Sequence, residues 1–93
     1  MNRQEHLLTI ASEECAELAQ RISKALRFGV HEVQPGQDKT NAERISYELA
    51  DLLGVVGLLI DDGIDIGVDS AMVEAKKEKV KAFLLTIQHR AAR

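Results

Sequence analysis

Cysteine, proline and aromatic residues are scarce in this 93-residue sequence. The single Cys15 cannot form a disulfide within the chain, which argues against a small secreted scaffold held by disulfides. There is one proline, and the aromatic residues amount to Phe28, Tyr47 and Phe83, so a turn-rich β-sandwich is disfavoured and the core has to be aliphatic. We therefore expect an all-α protein with a single domain over residues 1–93.

Long apolar runs and an excess of positive charge are also missing. The longest apolar run covers residues 52–60, whereas a membrane-spanning helix needs about 20 residues. The first residues lack the apolar segment of a signal peptide, so we expect a cytoplasmic protein without a membrane partner. The chain has 12 Lys and Arg against 15 Asp and Glu, a net charge of -3, which argues against binding to a nucleic-acid polymer.

Apolar residues do recur at helical spacing in three segments, and each segment predicts an α-helix: about 3–27, 41–62 and 69–90. Gly29 supplies a stop for the first helix. Thr40 and Glu43 have the spacing of a capping box at the start of the second helix. Asp69 or Ser70 can cap the third.

The second segment is apolar around most of its circumference. A buried strand over residues 52–60 is an alternative, and Gly54 and Gly57 weaken both interpretations. The helix is favoured because the periodic pattern begins at Ala42 and runs longer than an ordinary strand. Three helices cannot cover such a segment, so we predict a homodimer, or a dimer of dimers, with a core like that of a four-helix bundle.

Four acids lie within the predicted apolar faces or at their edge. Glu14 continues the apolar row of the first helix, and Glu17 follows one turn later. Glu48 and Asp51 occupy the apolar arc of the second helix. Residues three apart on a helix have neighbouring side chains, so each pair can hold two carboxylates about one point. Burying these charges unpaired would cost several kcal/mol each, so a positive partner is expected.

Two kinds of partner fit this pattern. Salt bridges are the simpler solution, since Arg21 follows Glu17 by four residues, Arg44 precedes Glu48 by four, and Lys76 lies in the apolar sector of the third helix. A divalent cation is the other solution, because an all-oxygen cluster suits Mg²⁺, or Mn²⁺ as a substitute. The spacing alone leaves both open.

Two short motifs carry a family resemblance. Glu-Glu-Cys-Ala-Glu at 13–17 and Glu-Leu-Ala-Asp-Leu-Leu at 48–53 resemble the E-E-x-x-E and E-x-x-D signature of the MazG-like all-α nucleoside triphosphate pyrophosphohydrolases. Segments 24–29 and 41–45 resemble short phage and bacterial members, and the similarity extends over most of the chain. The 30 residues between the motifs lie at or beyond the long end of the usual connection.

This resemblance implies an enzyme that cleaves a (deoxy)nucleoside triphosphate between its α and β phosphates, giving a monophosphate and pyrophosphate. The implied Mg²⁺-binding and catalytic residues are Glu14, Glu17, Glu48 and Asp51. Phosphorylated substrates also need cations, and the candidate substrate-binding residues are Lys24, Arg27, Arg44 and Lys76. For each of these cations a structural or solvated role competes with a phosphate contact.

Base recognition requires stacking, for which Phe28 is a candidate although a core role competes, while Tyr47 is a candidate contact to base or sugar. Two alternatives to the leading function remain. Phosphoribosyl-ATP pyrophosphohydrolases have a related acid pattern and similar size. A non-catalytic helical oligomerisation or interaction module would instead hold the acids in salt bridges.

Overall fold

The computed structural model describes residues 1–91, which form three α-helices: α1 (Arg3–Phe28), α2 (Asn41–Asp61) and α3 (Ser70–Ala91). Each bound lies within one residue of its predicted position, and the all-α class is confirmed. Residues 52–60 are inside α2, so the strand alternative is wrong. No helix in the described part of the chain is long and apolar enough to cross a membrane.

Side-chain caps explain where the first two helices begin. Asn2 and Glu5 form a capping box at the start of α1, and Thr40 and Glu43 form the predicted one at the start of α2. In each box, two backbone N–H groups that lack helical partners are satisfied by side chains. Gly29 ends α1 with a φ of 103°, a conformation that glycine adopts without steric cost.

Helices α1 and α2 pack against each other as an antiparallel hairpin. Its open end is held by an ion pair between Arg3, at the start of α1, and Asp62, just after α2. Leu7, Ala25 and Leu59 are buried between the two helices, with Leu59 only 2% exposed. The hairpin core is therefore a narrow aliphatic seam, as the scarcity of aromatic residues requires.

The closed end of the hairpin is organised by Asn41, which is 2% exposed. Its Nδ2 donates to the carbonyl oxygen of Gly29 at 2.8 Å and to Oε1 of Glu32 at 3.3 Å. An antiparallel bridge between Val33 and Thr40 narrows the base of the loop. These bonds tie the end of α1 to the start of α2, so the loop is a structured connection.

Helix α3 is separate from the hairpin. Within residues 1–91, no Cα atom of α3 lies within 8 Å of a Cα atom of α1 or α2. Every described residue of α3 is exposed, including its predicted apolar row: Val73, Val80, Phe83, Leu84 and Ile87. The radius of gyration is 17.0 Å, against about 12 Å for a compact chain of this length.

A second group of apolar side chains is exposed on the hairpin, and we call it the open apolar face: Leu8, Ile22 and Leu26 on α1, with Leu49, Leu53 and Ile60 on α2. The sequence pattern places Ile22, Leu26 and Leu49 on core rows, but they are 43% to 86% exposed. The reason is that the seam of the hairpin runs along neighbouring positions, through Leu7 and Ala25 on α1 and Leu59 on α2.

The open apolar face lies on one side of the hairpin. Its residues follow seam positions by one, as Leu8 follows Leu7 and Ile60 follows Leu59. In an antiparallel pair of helices, residues that follow a seam position by one are rotated away from the seam by the same angle on both helices, and they lie on the same side of the pair. Glu17 and Asp51 instead precede the half-buried Leu18 and Leu52 by one residue, so they emerge on the opposite side of the hairpin.

Candidate functional site

Three of the four predicted acids converge where α1 crosses α2. Glu14 and Glu17 on α1 and Glu48 on α2 each offer a carboxylate oxygen, and these oxygens all lie within 4.8 Å of one another. Glu14 and Glu48 are half-buried, while Glu17 is exposed. The antiparallel packing brings this about, because it sets a turn in the middle of α1 beside a turn in the first half of α2.

Asp51 lies outside this group of three and is exposed, although the sequence pattern places it inside the apolar arc of α2. Its charge still acts on the cluster. The Asp51 carboxylate is among the charges that raise the pKa of Glu14 and of Glu48. It therefore belongs to the same electrostatic site, on the solvent side of the group.

Burial and mutual repulsion perturb the two half-buried acids. Burial is the larger cause that raises the pKa of Glu14, followed by the charge of Glu17. Burial also raises the pKa of Glu48, together with the neighbouring Glu17 carboxyl, while Arg21 opposes the shift. Within residues 1–91, Oε2 of Glu14 and Oε2 of Glu48 are buried and accept no hydrogen bond. The site thus has unused acceptor capacity.

Ion pairing offsets the charge of these acids only in part. Nε of Arg21 lies 3.9 Å from Oε1 of Glu48, at the limit of an ion pair, and buried Nη1 of Arg21 has no hydrogen-bond partner in the described chain. Arg44 instead donates from Nη1 to Oε1 of Gln34 at 3.0 Å. Within residues 1–91, neither Arg21 with Glu17 nor Arg44 with Glu48 forms an ion pair of 4.0 Å or less.

A cavity of about 190 Å³ adjoins the carboxylates. It is lined by Arg21, Lys39, Arg44, Tyr47 and Glu48. Glu48 belongs to both the cavity and the carboxylate group, so the two are continuous. Three cations and one acid make the lining positive, beside a cluster that is negative.

The predicted substrate-binding residues are placed unequally. Arg44 lines the cavity, and Lys24 is half-buried on α1. The guanidinium of Arg27 lies 4.9 Å from the ring centroid of Phe28, which is itself 47% exposed, so the stacking candidate holds a cation and lies outside the core. Lys76 lies on α3, away from the hairpin.

Sequence reasoning missed two residues of the cavity as ligand contacts. Arg21 was expected as the partner of Glu17 on its own helix, and Lys39 precedes the cap Thr40 with no chemical signal of its own. Tyr47, a candidate contact to base or sugar, does line the cavity. Its ring centroid lies 5.1 Å from Nζ of Lys39.

Comparisons with known proteins return no relative. A scan against protein-family models finds no matching family, and searches of curated proteins and of solved structures find no match either. The function of this chain is therefore inferred from the residues of its hairpin and from their geometry.

Proposed function

We propose that this protein is a Mg²⁺-dependent nucleotide pyrophosphohydrolase that cleaves a (deoxy)nucleoside triphosphate between its α and β phosphates. The observation that carries the proposal is the convergence of Glu14, Glu17 and Glu48 from two helices, with carboxylate oxygens within 4.8 Å of one another. Chance acids on two helices would be spread around both, whereas these acids meet at the seam and adjoin a cavity lined by cations.

The residues present fit a hard divalent cation. All donors are carboxylate oxygens, the ligands that Mg²⁺ prefers and that Mn²⁺ also accepts. Two of the oxygens, on Glu14 and Glu48, are buried without a hydrogen bond in the described chain. Three carboxylates this close repel one another, and a cation removes that repulsion. Glu14, Glu17 and Glu48 would hold the ion, with Asp51 as the fourth acid.

The reaction needs a water, a proton acceptor and positive charge for the phosphates. A Mg²⁺ ion held by Glu14, Glu17 and Glu48 would supply neutralisation of phosphate charge and would lower the pKa of a water. The water oxygen bonds to phosphorus, the bond to the bridging oxygen breaks, and pyrophosphate leaves. A carboxylate of the cluster accepts the proton of the water. Arg44 and Lys24 are the predicted cations nearest this chemistry, and Arg27 lies at the end of the same helix as Lys24.

A homodimer is part of this proposal. The accessible surface of the chain is 7261 Å², against about 5,350 Å² for a folded monomer of this mass. The excess of about 1,900 Å² per chain matches what an obligate dimer buries. A second copy that covers the open apolar face and α3 would bury this surface and leave the carboxylates accessible on the other side. Lys76 would then reach a site only from the α3 of a partner.

An interaction module with salt-bridged acids has one observation in its favour, the contact between Arg21 and Glu48. At 3.9 Å this contact leaves buried oxygens of Glu14 and Glu48 without partners. The module is therefore the weaker candidate. A cation explains the unused oxygens and the ion pair does not.

The deciding experiment is a panel of nucleoside triphosphates with Mg²⁺, scored separately for pyrophosphate and orthophosphate. We expect pyrophosphate and a nucleoside monophosphate in equal amounts. Orthophosphate as the sole phosphate product would refute cleavage between the α and β phosphates. The measurement is run over the micromolar range of protein, so that loss of activity on dilution reports on assembly.

Metal binding is tested without turnover. We expect millimolar Mg²⁺ or Mn²⁺ to raise the midpoint of thermal unfolding of the wild-type protein, because the ion binds the folded state. Glu14→Gln should remove this rise, while Glu13→Gln, an exposed neighbour on the same helix, should keep it. If neither ion stabilises the wild-type protein, the interaction module is favoured.

A further inference from the structure

The cavity beside the carboxylates has the chemistry of an anion-binding site. Three of its five lining side chains are cations, Arg21, Lys39 and Arg44, in a chain whose net charge is -3. Positive charge concentrated in a concave site attracts an anion of matching size. The cavity is not a cluster of surface lysines, because it is formed between α1, α2 and the structured loop.

Within residues 1–91, Arg21 has a half-buried acid within 4.0 Å, Oε1 of Glu48 at 3.9 Å from its Nε, whereas Lys39 and Arg44 have none. Arg44 is bonded to the neutral amide of Gln34. Lys39 lies 3.5 Å from a carboxylate oxygen of Asp38, a side chain that is 86% exposed, so water screens this pair. Arg21 has a buried Nη1 without a hydrogen-bond partner in residues 1–91. Donors are therefore available for a ligand oxygen at each cation.

We infer that this cavity binds the β and γ phosphates of a nucleoside triphosphate through Arg21, Lys39 and Arg44, so that the scissile bond lies at its Glu48 end. The inference rests on the proposed function for the identity of the ligand. A cavity of about 190 Å³ has room for about six water molecules, which suits two phosphate groups and is below the usual size of a site for a whole small molecule. Base and sugar then lie outside it.

Tyr47 sits at the mouth of this cavity and is 59% exposed. Its ring already faces a cation, since Nζ of Lys39 lies 5.1 Å from the ring centroid. This contact holds the flexible lysine over the cavity. We assign Tyr47 as a positioning residue for Lys39.

The test is titration calorimetry of inorganic pyrophosphate into the full chain in EDTA and low salt, so that no metal takes part. The wild-type protein should bind pyrophosphate, and 0.5 M NaCl should weaken binding strongly. Lys39→Ala should weaken it about tenfold or more, because a charge-assisted hydrogen bond is lost. Lys79→Ala, which removes the same charge from exposed α3, should leave it unchanged.

Further variants separate this inference from the proposed function. Glu14→Gln should lose stabilisation by Mg²⁺ but keep pyrophosphate binding, since Glu14 does not line the cavity. Arg44→Lys should bind pyrophosphate more weakly than the wild-type protein, because lysine keeps the charge but lacks the planar guanidinium that donates two parallel hydrogen bonds. Tyr47→Ala should weaken binding more than Tyr47→Phe, which retains the ring.

Three results would overturn the cavity assignment. They are no pyrophosphate binding by the wild-type protein, equal binding by Lys39→Ala and Lys79→Ala, and failure of a nucleoside triphosphate to compete with pyrophosphate. Pyrophosphate binding without hydrolysis of any triphosphate would refute the proposed function and leave an anion site. Hydrolysis of a triphosphate at a rate that Lys39→Ala does not change would refute the cavity assignment and leave the proposed function.

Discussion

The hairpin of α1 and α2 and the separate α3 make an instructive comparison. All three helices are predicted by the same apolar periodicity, and all three form. In the hairpin, the apolar faces of α1 and α2 pack against each other and bury Leu7, Ala25 and Leu59. In α3, every described residue stays exposed. Periodicity therefore predicts a helix and an apolar face, but it does not identify what covers the face.

The two regions also differ in how their charges are used. In α3, Lys77 pairs with Glu74 and Lys81 pairs with Glu78, on exposed turns where such pairs contribute little. In the hairpin, the half-buried Glu14 and Glu48 are brought together, and the ion pair that reaches them within residues 1–91 is that of Arg21 with Glu48, at 3.9 Å. Charges on α3 are typical of a solvated helix, and those on the hairpin are typical of a binding site.

The largest expected effect comes from replacing one acid by glutamine in each of the two regions and comparing the two variants. Glu48→Gln should reduce the proposed Mg²⁺-dependent pyrophosphate release about 100-fold or more, because it removes a carboxylate of the proposed metal site. Glu78→Gln, the matched change on α3, should leave the rate unchanged. Steady-state kinetics with circular dichroism as a check on folding decides the matter. Equal rates in both variants would contradict the placement of the chemistry in the hairpin.

The next effect concerns assembly. We expect the wild-type protein to sediment at twice the 10.3 kDa chain mass or more at micromolar concentration. Phe83→Glu should shift it towards the monomer, since a charge on the apolar row of α3 cannot be covered by a second copy. Lys79→Glu on the same helix is the control and should not shift it. Sedimentation of the wild-type protein as a single monomeric species would contradict the proposed dimer.

Asn41 tests why the hairpin is ordered at its closed end. Asn41→Ala should lower the free energy of unfolding by about 2 kcal/mol, because it removes two part-buried hydrogen bonds, from Nδ2 to the carbonyl oxygen of Gly29 and to Glu32. Chemical denaturation of the variant measures the loss. Ser46→Ala, an exposed change on the same helix, should cost much less. A loss below that of the control would show that the loop is held by other contacts.

The smallest effect is a pH dependence of the metal-free protein. Because the pKa values of Glu14 and Glu48 are raised in the folded state, folding favours their protonated forms. Their contribution to stability is full below the unfolded value of 4.5, and it is lost as pH rises through the raised pKa. Glu43 acts in the opposite direction, since its capping bonds lower its pKa.

Thermal unfolding in EDTA between pH 4 and pH 8 isolates this term. The midpoint of thermal unfolding of Glu48→Gln should fall less than that of the wild-type protein as pH rises, because the variant lacks one of the titrating groups. Ser46→Ala, which leaves every titrating group in place, should follow the wild-type slope. The comparison between variants cancels Glu43, which is common to all of them. Identical slopes for Glu48→Gln and wild type would contradict the raised pKa of Glu48.

Much of the hairpin could be predicted from local signals. Thr40 with Glu43, and Gly29 after α1, fix helix ends through bonds between residues close in sequence, and these predictions are confirmed. The spacing i, i+3 predicted that Glu14 and Glu17 are neighbours on one helix face. A common site with Glu48 and Asp51 was implied by the family resemblance, and the structure brings Glu48 into the group but not Asp51.

What could not be predicted depends on contacts far apart in sequence. Arg21 was expected beside Glu17, but the rotation of α1 about its axis directs it to Glu48 on the other helix. The exposure of Leu26 follows from the same rotation. Lys39 reaches the cavity because the loop folds back through its bridge and capping bonds, which no periodic pattern encodes.

The two ends of the hairpin have a consequence for how this site can vary. The bonds of Asn41 fix the closed end of the hairpin, so a slip of α1 along α2 would break them. The exposed pair of Arg3 with Asp62 adds a contact at the open end. A slip of one residue would move a carboxylate by about 1.5 Å and turn it by about 100°. The tip of the loop, around Gly36, lies beyond these anchors. Insertions there would change the loop while the carboxylate spacing stays the same, so the loop beside the cavity and the proposed metal ligands can vary independently.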